Sequence, residues 1–141
     1  MKILVLNGSP RLNGNTMHMV KAFKKGAEDA GHSVDIENVA HMNIHGCLAC
    51  EYCRTKEKAV CVQKDDMQKL YQQILEADML VFASPIYYFT LSAQLQSVIH
   101  RTYAIDVPKN IQKTALIMSS CSAFVYGLAI ALPLPSIISL L

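Results

Sequence analysis

Lys2-Ile3-Leu4-Val5-Leu6-Asn7-Gly8-Ser9-Pro10-Arg11-Leu12-Asn13-Gly14-Asn15-Thr16 opens the chain almost at its first residue. The run from Lys2 to Asn7 is nearly continuous in apolar side chains, the pattern of a strand buried on both faces and therefore of a parallel sheet. Gly8 ends it. Asn15 or Thr16 caps a helix that runs to about Ala30 and stops at Gly31. A strand, a turn rich in glycine and hydroxyls, and a helix place backbone N–H groups and a helix N-terminus at the carboxyl end of the strand. Ligands of open α/β sheets bind there, and a phosphate is favoured there. Ser9, Asn15 and Thr16 supply side-chain donors, and Arg11 supplies charge. Neither G-x-x-x-x-G-K-[ST] nor G-x-G-x-x-G is present, which weighs against a nucleoside triphosphate or NAD as the tightly held ligand. The plainer reading is a polar turn that merely caps a helix.

Outward from this stretch, the periodicities alternate. Met19, Val20, Phe23 and Ala27 form the apolar stripe of the first helix, with Lys21, Lys24, Lys25 and Glu28 facing water. Val34 and Ile36 alternate with charges in a second strand, Ser33 to Val39. Residues 40–64 read as a long loop. Asp65 then caps a helix, with Gln68 completing a capping-box pattern. Asp78 to Ala83 is a third strand ending in a turn at Ser84-Pro85. Leu91 to Tyr103 is a helix, Thr114 to Ser119 a fourth strand, and the remainder a helix-like tail. Strands alternating with helices predict an α/β protein with a parallel sheet covered on both faces.

The bulk numbers agree. A chain of 141 residues, 52% hydrophobic and 17% charged, is long enough for one domain, 1–141, with a cysteine-rich insertion at 40–64. A net charge of +2 gives no footing for nucleic acid or an acidic membrane surface. Met1-Lys2 leads too short an apolar run for a targeting core, so a cytoplasmic setting is expected. There the five cysteines suggest metal or redox use more than structural disulfides. No residue after Lys113 is charged, yet Pro133 and Pro135 interrupt the apolar tail, and no membrane anchor is expected.

Two stretches carry a resemblance. Gly8-Ser9-Pro10-Arg11 with Gly14-Asn15-Thr16, and Ser84-Pro85-Ile86-Tyr87-Tyr88-Phe89 followed by Ser92-Ala93-Gln94-Leu95 and Arg101, resemble the two flavin loops of the NADPH-dependent FMN reductase family. The resemblance runs from Lys2 to about Ser120. It implies a flavodoxin-like, doubly wound parallel sheet in the order 2-1-3-4. It implies FMN as cofactor, with Ser9, Arg11, Asn13, Asn15 and Thr16 at the phosphate. Pro85, Ile86, Tyr87, Tyr88 and Phe89 would lie along the isoalloxazine, with Ser119 and Ser120, in a third loop reaching Ser122, beside the ring. The aromatic residues also offer flat apolar surface on physical grounds, although at least one of the three is expected in the core.

Cys47, Cys50 and Cys53 form C-x2-C-x2-C, and Cys61 follows. Four thiolates at such spacing can ligate a metal cluster. The pattern resembles the iron–sulfur flavoprotein branch of the same family, which implies a [4Fe–4S] cluster. Zinc, a reversible disulfide and idle cysteines are the other readings. Cys121 reads as a small packing residue, and His41 and His45 as solvated.

The chain also departs from the family. His100 stands where relatives usually carry an aspartate before Arg101, so the expected Asp–Arg contact loses its acid. Relatives continue through a further helix, strand and helix, so the fifth strand is expected to be missing. The fourth strand would then be an edge that a partner or the apolar tail must cover, which points to a homo-oligomer. The function implied is an NAD(P)H-dependent, FMN-containing oxidoreductase handing electrons to a small-molecule or protein acceptor. The alternatives are an FMN electron carrier without a nicotinamide site, a non-catalytic flavodoxin-like domain, and a zinc-binding interaction module.

Overall fold

The computed structural model describes residues 1–55, 61–106 and 108–120, and the backbone of 129–133. Strands β1 (Lys2–Asn7), β2 (Ser33–Glu37), β3 (Met79–Tyr87), β4 (Thr90–Leu91), β5 (Lys113–Ser119) and β6 (Ala129–Pro133) alternate with helices α1 (Asn15–Asp29), α2 (Tyr52–Thr55), α3 (Met67–Glu76) and α4 (Ala93–Arg101). The sheet runs β2-β1-β3-β5-β6, with β4 folded back on β3. β1 pairs in parallel with both β2 and β3, and β3 with β5. These four are the strands expected from the sequence, in the order expected.

The continuous apolar character of β1 follows from its position. Ile3 and Val5 pack with Met17, Val20 and Val34 under α1. Leu4 and Leu6 pack with Leu70, Ile74, Leu95 and Val98 under α3 and α4. Successive side chains of a strand point to opposite faces, so a central strand between two helical layers can carry no polar face. Each such side chain buried contributes about 1.5–3 kcal/mol.

The structure corrects several expectations. The fifth position of the sheet is occupied: β6 pairs antiparallel with β5, from Lys113↔Pro133 to Ile117↔Ala129. The connection between Ser119 and Ala129 is shorter than the crossover of about a dozen residues that a parallel strand needs, so the chain can only return antiparallel. The tail segment 129–133 is therefore strand rather than helix, with its proline at the terminal position where a missing N–H is tolerated. The turn expected at Ser84-Pro85 does not occur there. β3 runs on, paired with β5 as far as Pro85↔Ser119. The capping box at Asp65 is not formed either. α3 starts at Met67, and the Gln68 amide donates to the carbonyls of Cys61 and Gln63 instead.

Candidate functional site

The β1–α1 loop turns on Gly8, whose N–H donates to the Ala83 carbonyl of β3 at 2.8 Å. A Cβ on Gly8 would sit 2.4 Å from Ser92 Oγ and 2.7 Å from Leu95 Cβ, so only glycine lets α4 approach this closely. Asn7, fully buried at the end of β1, donates its amide to Asn38 Oδ1 at 2.9 Å and accepts the Ser9 N–H at 3.1 Å. Ser9 Oγ in turn accepts the Arg11 N–H at 3.2 Å. His41 Nε2 lies 3.1 Å from the Pro10 carbonyl, the two forming a further tie. The loop is thereby held in shape from several sides.

Ser9 and Thr16 are buried, whereas Arg11, Asn13 and Asn15 are exposed. Thr16 Oγ1 and Ser119 Oγ are hydrogen-bonded at 2.6 Å, which brings the start of α1 against the end of β5. The resemblance assigned these residues to two different loops, and the structure brings them together. α1 has Gly14 at its N-cap and no side-chain cap. Its first N–H groups lack intrahelical partners, and its dipole favours an anion. Ser120 is described; Cys121 and Ser122 lie outside the described residues.

Pro85, Ile86 and Tyr87 end β3, and a two-residue turn at Tyr88-Phe89 returns the chain into β4, with Tyr87 opposite Thr90. Tyr88 and Phe89 have φ of 51° and 67°, the pair of positive values that a type I′ hairpin requires and that Asn-Gly normally supplies. Tyr88 is 97% exposed, Phe89 98% and Tyr87 48%. None of the three is core, contrary to expectation. Two bulky aromatics are held in a strained turn and aimed at solvent, where a core residue would be turned inward. The base of the hairpin is fixed by Ser84 Oγ, which accepts the Ser92 N–H at 2.9 Å.

Cys47, Cys50, Cys53 and Cys61 are free thiols and all four line one small cavity, together with Arg101, Tyr103 and Ala104. Among the described residues, no three His, Cys, Asp or Glu side chains are gathered closely enough to hold a single metal ion. A [4Fe–4S] cluster takes one cysteine per iron, so its thiols need not converge on a single point, and all four cysteines line the same cavity. Cys47 Sγ already accepts the Ala49 N–H at 3.4 Å, and Ala49 and Glu51 on either side of Cys50 have φ of 50° and 55°.

The segment is clamped at several points. Arg54 pairs with Asp106 at 2.7 Å, donates to the Tyr103 carbonyl and lies 4.2 Å over the Tyr103 ring, while the Tyr103 hydroxyl donates to Glu51 at 3.0 Å. Deeper in, Arg101 forms a two-point ion pair with Asp65 (2.6 and 3.1 Å) and donates to the His45 carbonyl at 2.9 Å. The Asp–Arg contact that His100 removed is thus made by a carboxylate from the cysteine segment's far end. Burial works against the charged Asp65, but Arg101 and the His45 and Met67 N–H groups hold its carboxyl below the usual range. Tyr71, whose hydroxyl donates to the Arg101 carbonyl at 3.1 Å, is pushed up to about 12 by burial, with the Cys61 thiol adding to the rise.

Sequence reasoning missed the Asn7–Asn38 brace and the Asp65–Arg101 pair. One signal existed: Leu95, Val98 and Arg101 fall on one helical stripe, and an arginine on an apolar stripe needs a buried partner.

Among known proteins, the family model described as NADPH-dependent FMN reductase matches residues 1–133. An iron-sulfur flavoprotein of Archaeoglobus fulgidus is 37% identical over 101 residues, 72% of this chain and 45% of that protein. An iron-sulfur flavoprotein of Methanocaldococcus jannaschii is 34% identical over 105 residues, 74% of this chain and 52% of that protein. The chain spans about half the length of these curated relatives. An NAD(P)H:quinone oxidoreductase from Methanothermobacter marburgensis shares the fold, with a TM-score of 0.71 at 23% identity over 85% of this chain and 64% of that one. No helix among the described residues is long and apolar enough to cross a membrane. With its phosphate-type loop, aromatic hairpin and four-cysteine segment on this sheet, and a family match over residues 1–133, the chain belongs to the NADPH-dependent FMN reductase family.

Proposed function

We propose that the chain binds FMN at the carboxyl edge of its sheet and acts as an NAD(P)H-dependent, FMN-containing oxidoreductase. The observation that carries this reading is the α1 N-terminus without a side-chain cap, set beside Ser119 by the 2.6 Å Thr16–Ser119 bond. Arg11, Asn13 and Asn15 surround it, and the Tyr87–Phe89 hairpin rises from the same edge. In this reading the loop from Ser9 to Thr16 holds the phosphate and stays rigid through Asn7. Pro85, Ile86, Tyr87, Tyr88 and Phe89 provide the apolar wall for the ring, and Ser119 and Ser120 border it. Bound there, FMN would supply the hydride and electron chemistry, while the protein binds, orients and tunes it. No side chain is assigned an acid or base role.

Cys47, Cys50, Cys53 and Cys61 are the residues that would hold a [4Fe–4S] cluster, adding one-electron transfer. Free thiols in this number suit a reducing cytoplasmic setting. NAD(P)H is the proposed co-substrate, the acceptor a small molecule or protein, and the assembly a homo-oligomer.

The test is an absorption spectrum of protein purified without oxygen, with FMN, iron and NAD(P)H oxidation assayed on the same sample. Flavin bands, about four irons per chain and steady oxidation with a dye acceptor are expected. Flavin without iron would leave a reductase with idle cysteines. Flavin without turnover would indicate an electron carrier. A colourless protein that refuses FMN at micromolar concentration would overturn the reading.

A further inference from the structure

One wall of the four-cysteine cavity comes from outside the cysteine segment. It is Arg101, the last residue of α4, with Tyr103 and Ala104 just after it, and Arg101 is 1% exposed. A guanidinium taken out of water costs several kcal/mol unless its donors are used. Nη1 and Nη2 are used, on Asp65 and on the His45 carbonyl. Nε is buried and makes no hydrogen bond among the described residues, although the guanidinium also interacts with the Tyr71 hydroxyl, whose own hydrogen goes to the Arg101 carbonyl. An orphaned buried donor carries a desolvation cost of about 1–3 kcal/mol and requires an explanation. Its residue lines the one cavity that all four cysteines share.

We infer that Arg101 is a positioning residue for an anionic sulfur ligand set in this cavity, its Nε–H being the donor held for the sulfur atoms of a [4Fe–4S] cluster on Cys47, Cys50, Cys53 and Cys61. The inference rests on the cluster reading above and adds a residue that is not itself a ligand. Asp65 anchors the fork of the guanidinium, so the third N–H has a fixed direction. The same fork grips the carbonyl of His45, two residues before Cys47, so one side chain both fixes the cysteine segment and supplies the donor. A hydrogen bond to cluster sulfur favours the more negative, reduced state and raises the reduction potential. Asp65 acts in the opposite sense, because its negative charge, paired with Arg101, disfavours reduction.

The experiment is an anaerobic potentiometric titration, followed by electron paramagnetic resonance, of the full chain reconstituted with iron and sulfide. The parent, Arg101→Lys and Asp65→Asn are compared, with thermal unfolding measured on each. Arg101→Lys keeps the charge and loses the Nε donor. Its potential is expected to fall, changing the oxidised-to-reduced ratio at fixed potential at least tenfold, which is 59 mV for one electron. Asp65→Asn is expected to shift it the opposite way, although both variants lose stability. An unchanged potential in a fully loaded Arg101→Lys protein overturns the proposal, as does a fall in both variants alike. A measurement on the unaltered protein covers the case in which Arg101→Lys fails to fold. With 15N in the arginine guanidinium groups, the reduced cluster is expected to show a 15N coupling that survives Arg54→Lys. Absence of that coupling overturns the proposal. A parent protein that takes up no cluster overturns the cluster reading and the proposal together, whereas a loaded parent with the unfavourable results above overturns the proposal alone.

Discussion

Single residues decide how closely the layers of this protein approach. Gly8 is the clearest case, because the space for its Cβ is already taken by Ser92 Oγ and Leu95 Cβ. Gly8→Ala forces α4 away from the loop. It is expected to cost about 1–3 kcal/mol and to weaken FMN binding more than tenfold, checked by urea unfolding and by fluorescence titration with FMN. Asp65 is the second case. Its side chain is 3% exposed and pairs with Arg101. Asp65→Asn leaves a buried guanidinium without its anion, a loss of about 3–5 kcal/mol. The pH dependence follows from the lowered carboxyl of Asp65. Its stabilisation is complete above the ordinary carboxylate value of about 3.9, and it is lost as pH falls through the lower folded value. Urea midpoints followed from neutral into acid conditions are expected to drop steeply at the acid end for the parent and less steeply for Asp65→Asn.

Among the elements, the β3–β4 hairpin stands out. Positive φ at Tyr88 and Phe89 costs about 1–3 kcal/mol at each residue, with no burial to offset it. In the function proposed above, that strain is retained because the exposed rings wall the flavin. The double substitution Tyr88→Asn with Phe89→Gly places the residues that a type I′ turn prefers. It is expected to raise the unfolding temperature while weakening FMN binding several-fold; calorimetry and FMN titration read the two effects separately. A variant that gains stability and binds FMN as tightly as the parent would remove the hairpin from the site. The cysteine segment shows a different balance. Its ends are tied by Arg101, Asp65, Arg54 and Gln63, so a short stretch carrying four thiols is presented by a rigid base.

On the scale of the whole molecule, β6 determines what the sheet exposes. Its antiparallel pairing with β5 satisfies the backbone of a strand that would otherwise be an open edge. Ala131 faces Ala115 in this ladder. Ala131→Pro removes one N–H and interrupts the pairing. Uncovered, β5 is expected to recruit other chains, so light scattering should show larger species for this variant than for the parent at equal concentration. An unchanged size distribution would mean that β6 contributes little to covering the edge.

Local pattern was enough for the order of the four parallel strands and the helices between them, but not for β4 or β6. The apolar run of β1, the stripe of α1 and the turn at Gly8 are each set by neighbours within a few positions, where periodicity and steric preference act directly. The two loops assigned to flavin and the cluster reading of the C-x2-C-x2-C segment came from resemblance to a family, because periodicity says nothing about a ligand. What tertiary structure decided are the relations between residues far apart in the chain. Arg101 found its acid in Asp65, Thr16 met Ser119, and Asn38 held the Asn7 side chain that braces Ser9. The direction of β6 was set by a connection too short for a crossover. Tyr88 and Phe89 were sent outward by a strand that stayed paired with β5 as far as Pro85 and ran on from there into the hairpin with β4. Hydrophobic periodicity specifies which face of an element is buried; it carries no information about which buried donor will meet which acceptor, and that is settled only when the layers pack.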